Sequence, residues 1–187
     1  MFLDKIITFA LAAIFLIALS CEGPASEEST AQEVPRKKTL QHEPAFWDYA
    51  ASSNMLQVAV ASVAAEQGAA AHTRSIAADA LAFHRQALKR LQQLAQRHEH
   101  IQLPDSLGGA DMGLVSEFKL LQGEELDTRF RDFVMSTHNA QLDRYEEALL
   151  KADDKETREW LMDMRAHLRE EIHLMAAADS VAAVPEK

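Results

Sequence analysis

Three histidines, His84, His138 and His167, each stand within a separate long run of helix-forming residues. Each falls on the apolar stripe of its run. The stripes read Ala77, Leu81, His84, Leu88, Leu91, Ala95; then Phe130, Val134, His138, Leu142, Tyr145, Leu149; then Trp160, Leu161, Met164, His167, Leu168, Glu171, Met175. Residues three or four apart share one helical face, so imidazoles in these stripes point inward. Each lies near the middle of its run, and mid-helix positions share a level whichever way the helices run. Three imidazoles in one layer can converge on one point, and imidazole is the commonest side-chain ligand for zinc, copper, iron and nickel. Glu171 lies one turn beyond His167 on the same face, as a fourth ligand or as an acceptor that orients a ring. The expected cofactor is therefore a single transition-metal ion held by His84, His138, His167 and Glu171. The bland alternative is three half-buried histidines, each with one hydrogen-bond partner. The first helical run brings no carboxylate to this level; Ser53 and Gln57 are its nearest polar groups. Tyr145, two turns from His138, is placed to hydrogen-bond across the core.

Other chemistries fit less well. A di-iron centre in a helical bundle needs Glu-x-x-His on two helices and a further Glu from each of two others. Within the helical runs only Glu170 and His173 make that motif; Leu81 and Met135 stand three residues before the other two inward histidines. Glu170 and His173 should face solvent. No Gly-x-Ser-x-Gly and no Ser-His-acid spacing suggests a nucleophile. Met55, Met135, Met162, Met164 and Met175 are dispersed and read as core filling rather than a copper box. His98 and His100, with Arg97, suit a helix C-terminus, where positive charge is favoured. His72 should face water, and His42 belongs to the N-terminal segment.

The elements that must carry the histidines follow from composition. From Pro44 onward Ala, Leu, Gln, Glu, Met and Arg dominate and no alternating strand pattern appears. Helices are expected over about Ala45–Gln67, Ala70–His98, Glu125–Lys151 and Lys155–Ala178. The first buries Tyr49, Ser53, Leu56, Val60 and Val63 and stops at Gly68, in the place of a C-cap glycine. The last is capped by Asp153 or Asp154. The link between the second and third is too long for a tight turn and carries a short helix near Leu114–Leu121. A 28-residue helix is roughly 42 Å long, a distance that about twenty extended residues can span. Two short turns and one long crossover give an all-α fold, a ferritin-like four-helix bundle with a long crossover between its second and third helices carrying a short helix. Gly108, Gly109 and Gly113 punctuate that crossover; a phosphate-binding role would need a preceding strand.

The N-terminal segment has its own logic. Residues 1–20 read as an export signal, with Lys5 before an apolar stretch and Ala18-Leu19-Ser20 leading into Cys21, the only cysteine. A lone cysteine after small residues resembles a bacterial lipobox, so Cys21 is the expected lipidation site. Residues 21–43 read as a disordered tether, residues 44–178 as the bundle and residues 179–187 as a flexible tail. The expected partner is a membrane, reached through the lipid anchor. Glu22, in place of the Asp that retains enteric lipoproteins in the inner membrane, points to a cell-envelope location, on the outer membrane facing the periplasm. With 19 basic residues against 29 acidic ones and a net charge of −10, and no basic stripe, nucleic acid is an unsuitable partner. A protein partner is not indicated.

The segments SNMLQVAVASVAAEQGAAAHTRSIAADALAFHRQALKRL, LLQGEELDTRF, FVMSTHNAQLDRYEEAL and LMDMRAHL resemble the bacterial domain-of-unknown-function family 4142, ferritin-like envelope proteins. The resemblance spans about Phe46 to Met175 and implies a helical bundle in the envelope, with a histidine in each of the second, third and fourth main helices. Those positions fall on His84, His138 and His167. Where family members usually carry acids before the second-helix histidine, this chain has Ala82 and Phe83. Where they often carry Glu in the first helix, it has Gln57 and Ala59. Met162 stands where a proline often precedes the last histidine. The family carries no established activity to transfer.

The functional expectation is thus a non-enzymatic, lipid-anchored, periplasm-facing bundle acting as an envelope binding or stress-protection module. Its alternative is a mononuclear metal-binding protein using inward histidines from three helices.

Overall fold

Alanine and long unbranched side chains form helices with little entropic loss, and five α-helices account for most of the described chain. The computed structural model describes residues 39–182. A 3₁₀ turn, Leu40–His42, leads into α1 (Pro44–Gln67), α2 (Ala71–Ala95), the short α3 (Gly109–Phe118), α4 (Gly123–Lys151) and α5 (Lys155–Ala182). The helices start as elementary rules require. Pro44 occupies the first turn of α1, where a missing N–H costs nothing. Asp154 Oδ1 accepts the Thr157 N–H at 2.8 Å, so Asp154, not Asp153, caps α5. In α4, Glu124 and Glu125 lie in the first turn and Lys151 in the last, each complementing the helix dipole.

The long helices form a four-cornered ring: α1 packs on α2 and α4, and α5 packs on α4 and α2. Residues 68–70 and 152–154 are the tight connections; the chain between α2 and α4 carries α3, which packs on α1. Gly68 at the end of α1 forms an isolated parallel bridge with Gly123 at the start of α4. The crossover therefore runs the length of the bundle, and every neighbouring pair of long helices is antiparallel. This is the four-helix bundle with a crossover helix that the sequence leads one to expect.

Two apolar clusters fill the interior. One gathers Leu40, Trp47, Leu91, Tyr145, Trp160 and Leu161; the other gathers Val60, Ala77, Phe118, Leu126, Phe130 and Met175. Alanines make the α1–α2 contact close: Ala50, Ala51, Ala61 and Ala64 on one side, Ala77, Ala80 and Ala87 on the other, all buried. That close approach turns α1 away from its expected orientation. Tyr49, Ser53 and Leu56 are only half-buried, while Ala50, Asn54, Gln57 and Ala61 face inward. Indole N–H groups find carbonyls within the core: Trp160 Nε1 donates to Ala87 O, and Trp47 Nε1 to Leu40 O, each at 3.0 Å.

The expected signal at residues 1–20, the lipidation site Cys21 and most of the tether lie outside the described residues, as do residues 183–187 of the expected tail. Within the described residues several boundaries differ from expectation: α2 stops at Ala95 rather than His98, and the crossover helix occupies Gly109–Phe118 rather than the stretch near Leu114–Leu121, so Gly109 and Gly113 lie inside it. Residues 39–43, read as tether, are folded: Leu40 is fully buried in the first cluster. Glu43 pairs with Lys151 at 3.0 Å, and His42 stacks on His100 at 5.4 Å. One apolar side chain in a polar stretch suffices to anchor it. At the other end, α5 continues to Ala182.

Gly68 ends α1 but not as a left-handed C-cap, since its φ is −57°. What it provides is space. A Cβ there would lie 2.7 Å from Ala64 O and 3.2 Å from Asp127 Oδ1. Asp127 reaches over from α4 and accepts the Ala69 and Ala70 N–H groups at 3.0 and 2.8 Å. Arg74 Nη1 donates to Gly68 O from the other side at 2.7 Å. Gly68→Ala should therefore destabilise the fold by about 1–3 kcal/mol through crowding against backbone, read as a lowered urea midpoint at unchanged slope. Leu40→Ala should cost about 2–5 kcal/mol; equal urea midpoints for this variant and the parent would show that the 3₁₀ turn contributes nothing.

Candidate metal centre

Between the two apolar clusters lies a polar layer. α1 contributes Asn54 and Gln57, α2 His84, α4 His138, and α5 His167 and Glu171. All but His167 are buried. Polar groups so far from water must be paired or hold something that pairs them.

The histidines share one acceptor. Glu171 Oε2 lies 2.6 Å from His138 Nε2, 3.3 Å from His167 Nε2 and 3.5 Å from His84 Nε2. Their neighbours decide what each ring presents. Asn54 Nδ2 donates to Ala50 O at 2.7 Å, which leaves Oδ1 facing His84 Nδ1 at 2.9 Å. His84 must then carry its proton on Nδ1, so the nitrogen aimed at Glu171 bears a lone pair. A lone pair facing a carboxylate oxygen calls for a cation between them. His138 is set differently. Gln57 Nε2 donates to Thr137 Oγ1 at 3.0 Å and faces His138 Nδ1 at 3.4 Å, so the proton sits on His138 Nε2 and is donated to Glu171. His167 stacks face to face on Phe83, with centroids 3.5 Å apart and planes at 16°.

Three buried atoms here have no aligned hydrogen-bond partner: His84 Nε2, His167 Nε2 and Glu171 Oε1. Such orphans are costly unless another group completes them. Donors held at about 2.0–2.2 Å in a tetrahedral metal site stand about 3.3–3.6 Å apart. The His84 and His167 distances to Glu171 Oε2 already match, and the His138 contact would have to open by about 0.8 Å. One donor atom each from His84, His138 and Glu171 lies within 4.8 Å of the others. These three residues are placed to coordinate a single transition-metal ion. Nitrogen donors with one carboxylate suit zinc, iron, copper or nickel rather than magnesium or calcium.

Electrostatics agree with this arrangement. Burial would raise the Glu171 pKa, but the three imidazoles, led by His138, overcome it and hold the carboxyl well below the usual carboxylate range. Burial pushes the His84 pKa below the ordinary imidazole value; the Glu171 carboxylate opposes this and does not outweigh it. A neutral imidazole beside an ionised carboxylate is the protonation state a metal requires.

All four residues predicted for the site are brought together. His167 stands apart within the set: it is partly exposed and outside the tight three-residue group. Tyr145 does bond across the core, its hydroxyl lying 3.4 Å from Ser53 Oγ. Since Ser53 donates to Tyr49 O at 2.7 Å, the phenol is the donor, and burial pushes its pKa well above the ordinary value. Two contributors escaped sequence reasoning. Asn54 was missed because the first helix was read one face away; a signal was available, since Asn54 and Gln57 are three apart in an otherwise Ala- and Val-rich stretch. Phe83, at a position read only as a missing acid, supplies the stacking surface for His167. Glu170 and His173 are exposed, so the Glu-x-x-His pair lies off the centre. His98 and His100 do not simply meet solvent: His98 tilts over Trp47 at 6.4 Å, and His100 Nε2 donates to Gln41 O at 2.9 Å.

The model of a domain of unknown function, DUF4142, matches residues 27–178, most of the chain. This protein belongs to the DUF4142 family. No curated protein and no solved structure matches it. Family membership thus accounts for the helical body, whereas the chemistry of the DUF4142 layer in this chain must be read from its own atoms.

Acidification should weaken the metal-free protein. His84 favours its neutral form when folded, so its contribution is present above its ordinary value of 6.5 and is lost as the unfolded chain takes up a proton below it. Glu171 acts in the same direction: its contribution is full above 4.5 and declines as pH falls toward its depressed folded value. The urea midpoint of chelator-treated protein should therefore stay level above about pH 7 and fall as pH drops from 6.5 toward 4; a midpoint unchanged between pH 7 and pH 4 contradicts the assignment. Glu171→Ala should cost at least about 2 kcal/mol at pH 7, because it strands the His138 donor in the interior.

Proposed function

We infer that the protein is a mononuclear transition-metal-binding protein, with His84, His138 and Glu171 as ligands. The observation that carries this reading is the His84 lone pair, fixed by Asn54, facing a buried carboxylate oxygen at 3.5 Å. A cation between them completes both. Asn54 then plays the part of the outer partner that fixes a ligand's tautomer. His138 must move its proton to Nδ1 to coordinate through Nε2. Gln57 permits this by turning its amide to present oxygen.

The 2.6 Å His138–Glu171 hydrogen bond favours a second reading, a metal-free polar layer that only fixes the register of the four helices. Both readings are compatible with a lipid-anchored bundle in the cell envelope, tethered through Cys21. The support for that location is the N-terminal sequence, and the support for a ferritin-like relationship is the connectivity of two hairpins and a crossover. Cys21→Ser should release the protein from the membrane fraction of expressing cells; a variant that still sediments with membrane refutes the anchor.

Elemental analysis of purified protein, together with a Co2+ titration followed by visible absorption, decides between the two readings. One equivalent of metal is expected, lost in a His84→Ala, His138→Ala double variant. At a free metal concentration 100 times Kd the ion should stabilise the fold by about 2.7 kcal/mol. Asn54→Ala should weaken affinity about 10–100-fold while leaving all three ligands in place. Substoichiometric metal in the parent protein would leave only the polar-layer reading.

A further inference from the structure

The geometry points to a route by which the buried centre is loaded: the pocket between α2 and α5, with His167 as the ligand that admits metal from it. This rests on the metal-binding reading. The pocket has a volume of about 380 Å³; Phe83, Trp160 and Met164 wall it, the Arg90–Asp163 ion pair lines it too, and Ala166 and His167 stand beside them. Of the four site residues only His167 lines it. The same ring places Nε2 3.3 Å from Glu171 Oε2, so it is the one group common to the pocket and the layer.

Exposure falls inward along this path. The His167 side chain is 20 % accessible, that of Glu171 3 %, of His84 1 % and of His138 0 %. The rings also differ in how they are held. His84 is fixed by Asn54, and His138 by Glu171 with Gln57 and Thr137 behind it. His167 Nε2 has no aligned hydrogen bond; the ring is held by stacking on Phe83 and by its 3.3 Å approach to Glu171. Sliding along an apolar ring gives up only the 3.3 Å contact with Glu171, the loosest hold on any of the three rings, so His167 is the ligand that can swing. A divalent ion with about six waters, each about 30 Å³, fits the pocket. There it can exchange one water for the His167 nitrogen before passing to the fixed ligands. Two rigid imidazoles and a carboxylate are thus the resident set, and His167 is the exchanging one.

Ala166→Trp narrows the pocket without touching a ligand. In stopped-flow mixing of the full chain with Co2+, this variant should associate at least tenfold more slowly at unchanged Kd, since both directions use one path. His167→Ala should still bind one equivalent. An unchanged association rate in Ala166→Trp overturns the route, and loss of all binding in His167→Ala overturns its role as an exchanging ligand. A second arm needs no metal: diethyl pyrocarbonate acylation mapped by peptide mass. His167 should be labelled before His84 and His138, and more slowly in Ala166→Trp. Equal labelling of the three, or no protection by Trp, rejects the pocket as the way in. Should neither protein bind Co2+, the metal reading fails, and the acylation pattern still decides whether the pocket leads to the layer.

Discussion

A single carboxylate oxygen sits among three imidazole nitrogens in the middle of an otherwise apolar bundle, and the arrangement of the helices answers to it. An isolated carboxylate in this position would have to neutralise itself. Glu171 stays ionised chiefly because His138 donates to it from α4, while α2 and α5 hold two further rings within 3.5 Å. A slip of one helix by a turn would carry one imidazole past its partner and leave both unpaired. The layer therefore fixes register in a way that the apolar clusters above and below, made largely of interchangeable contacts, do not. Whether the central position holds a metal or only hydrogen bonds, this constraint on the helices is the same.

How much of this is legible in the residues alone depends on the kind of signal. The helices and the crossover follow from a strong 3.6-residue period and from the length of the α2–α4 link. The histidine layer follows from position, because an imidazole in the apolar stripe of an antiparallel helix falls at a predictable height. α1 resists the same treatment. It is apolar almost all round, so its period does not say which face turns inward, and the alanine contact with α2 makes that choice. Gln57 could be placed near the layer from the sequence, but Asn54 became visible only once that rotation was known. Phe83 was hidden for a different reason: stacking between α2 and α5 is a relation between helices that neither one announces.

The ends of the bundle are closed by unlike means. At one end Asp127 takes two backbone N–H groups from the turn between α1 and α2, and Gly68 lets α4 approach them. Here polar groups and a missing side chain do the work. At the other end closure is apolar, with Leu40 under Trp47 and the stack of His42 on His100 above. The polar layer lies between, with apolar packing above and below it and His167 at its partly exposed edge.

The seat of Leu40 has a mechanical consequence. Tension applied through the chain that precedes Thr39 does not arrive first at the N-terminus of α1, where a helix would fray one turn at a time. It arrives at the 3₁₀ turn, where Thr39 O holds the His42 N–H and Leu40 sits in an apolar cluster drawn from four helices, upstream of the hydrogen bonds within α1. The apolar cluster around Leu40 acts as a buffer between that pull and the histidines, so a body drawn from its N-terminal side can keep its central geometry undisturbed.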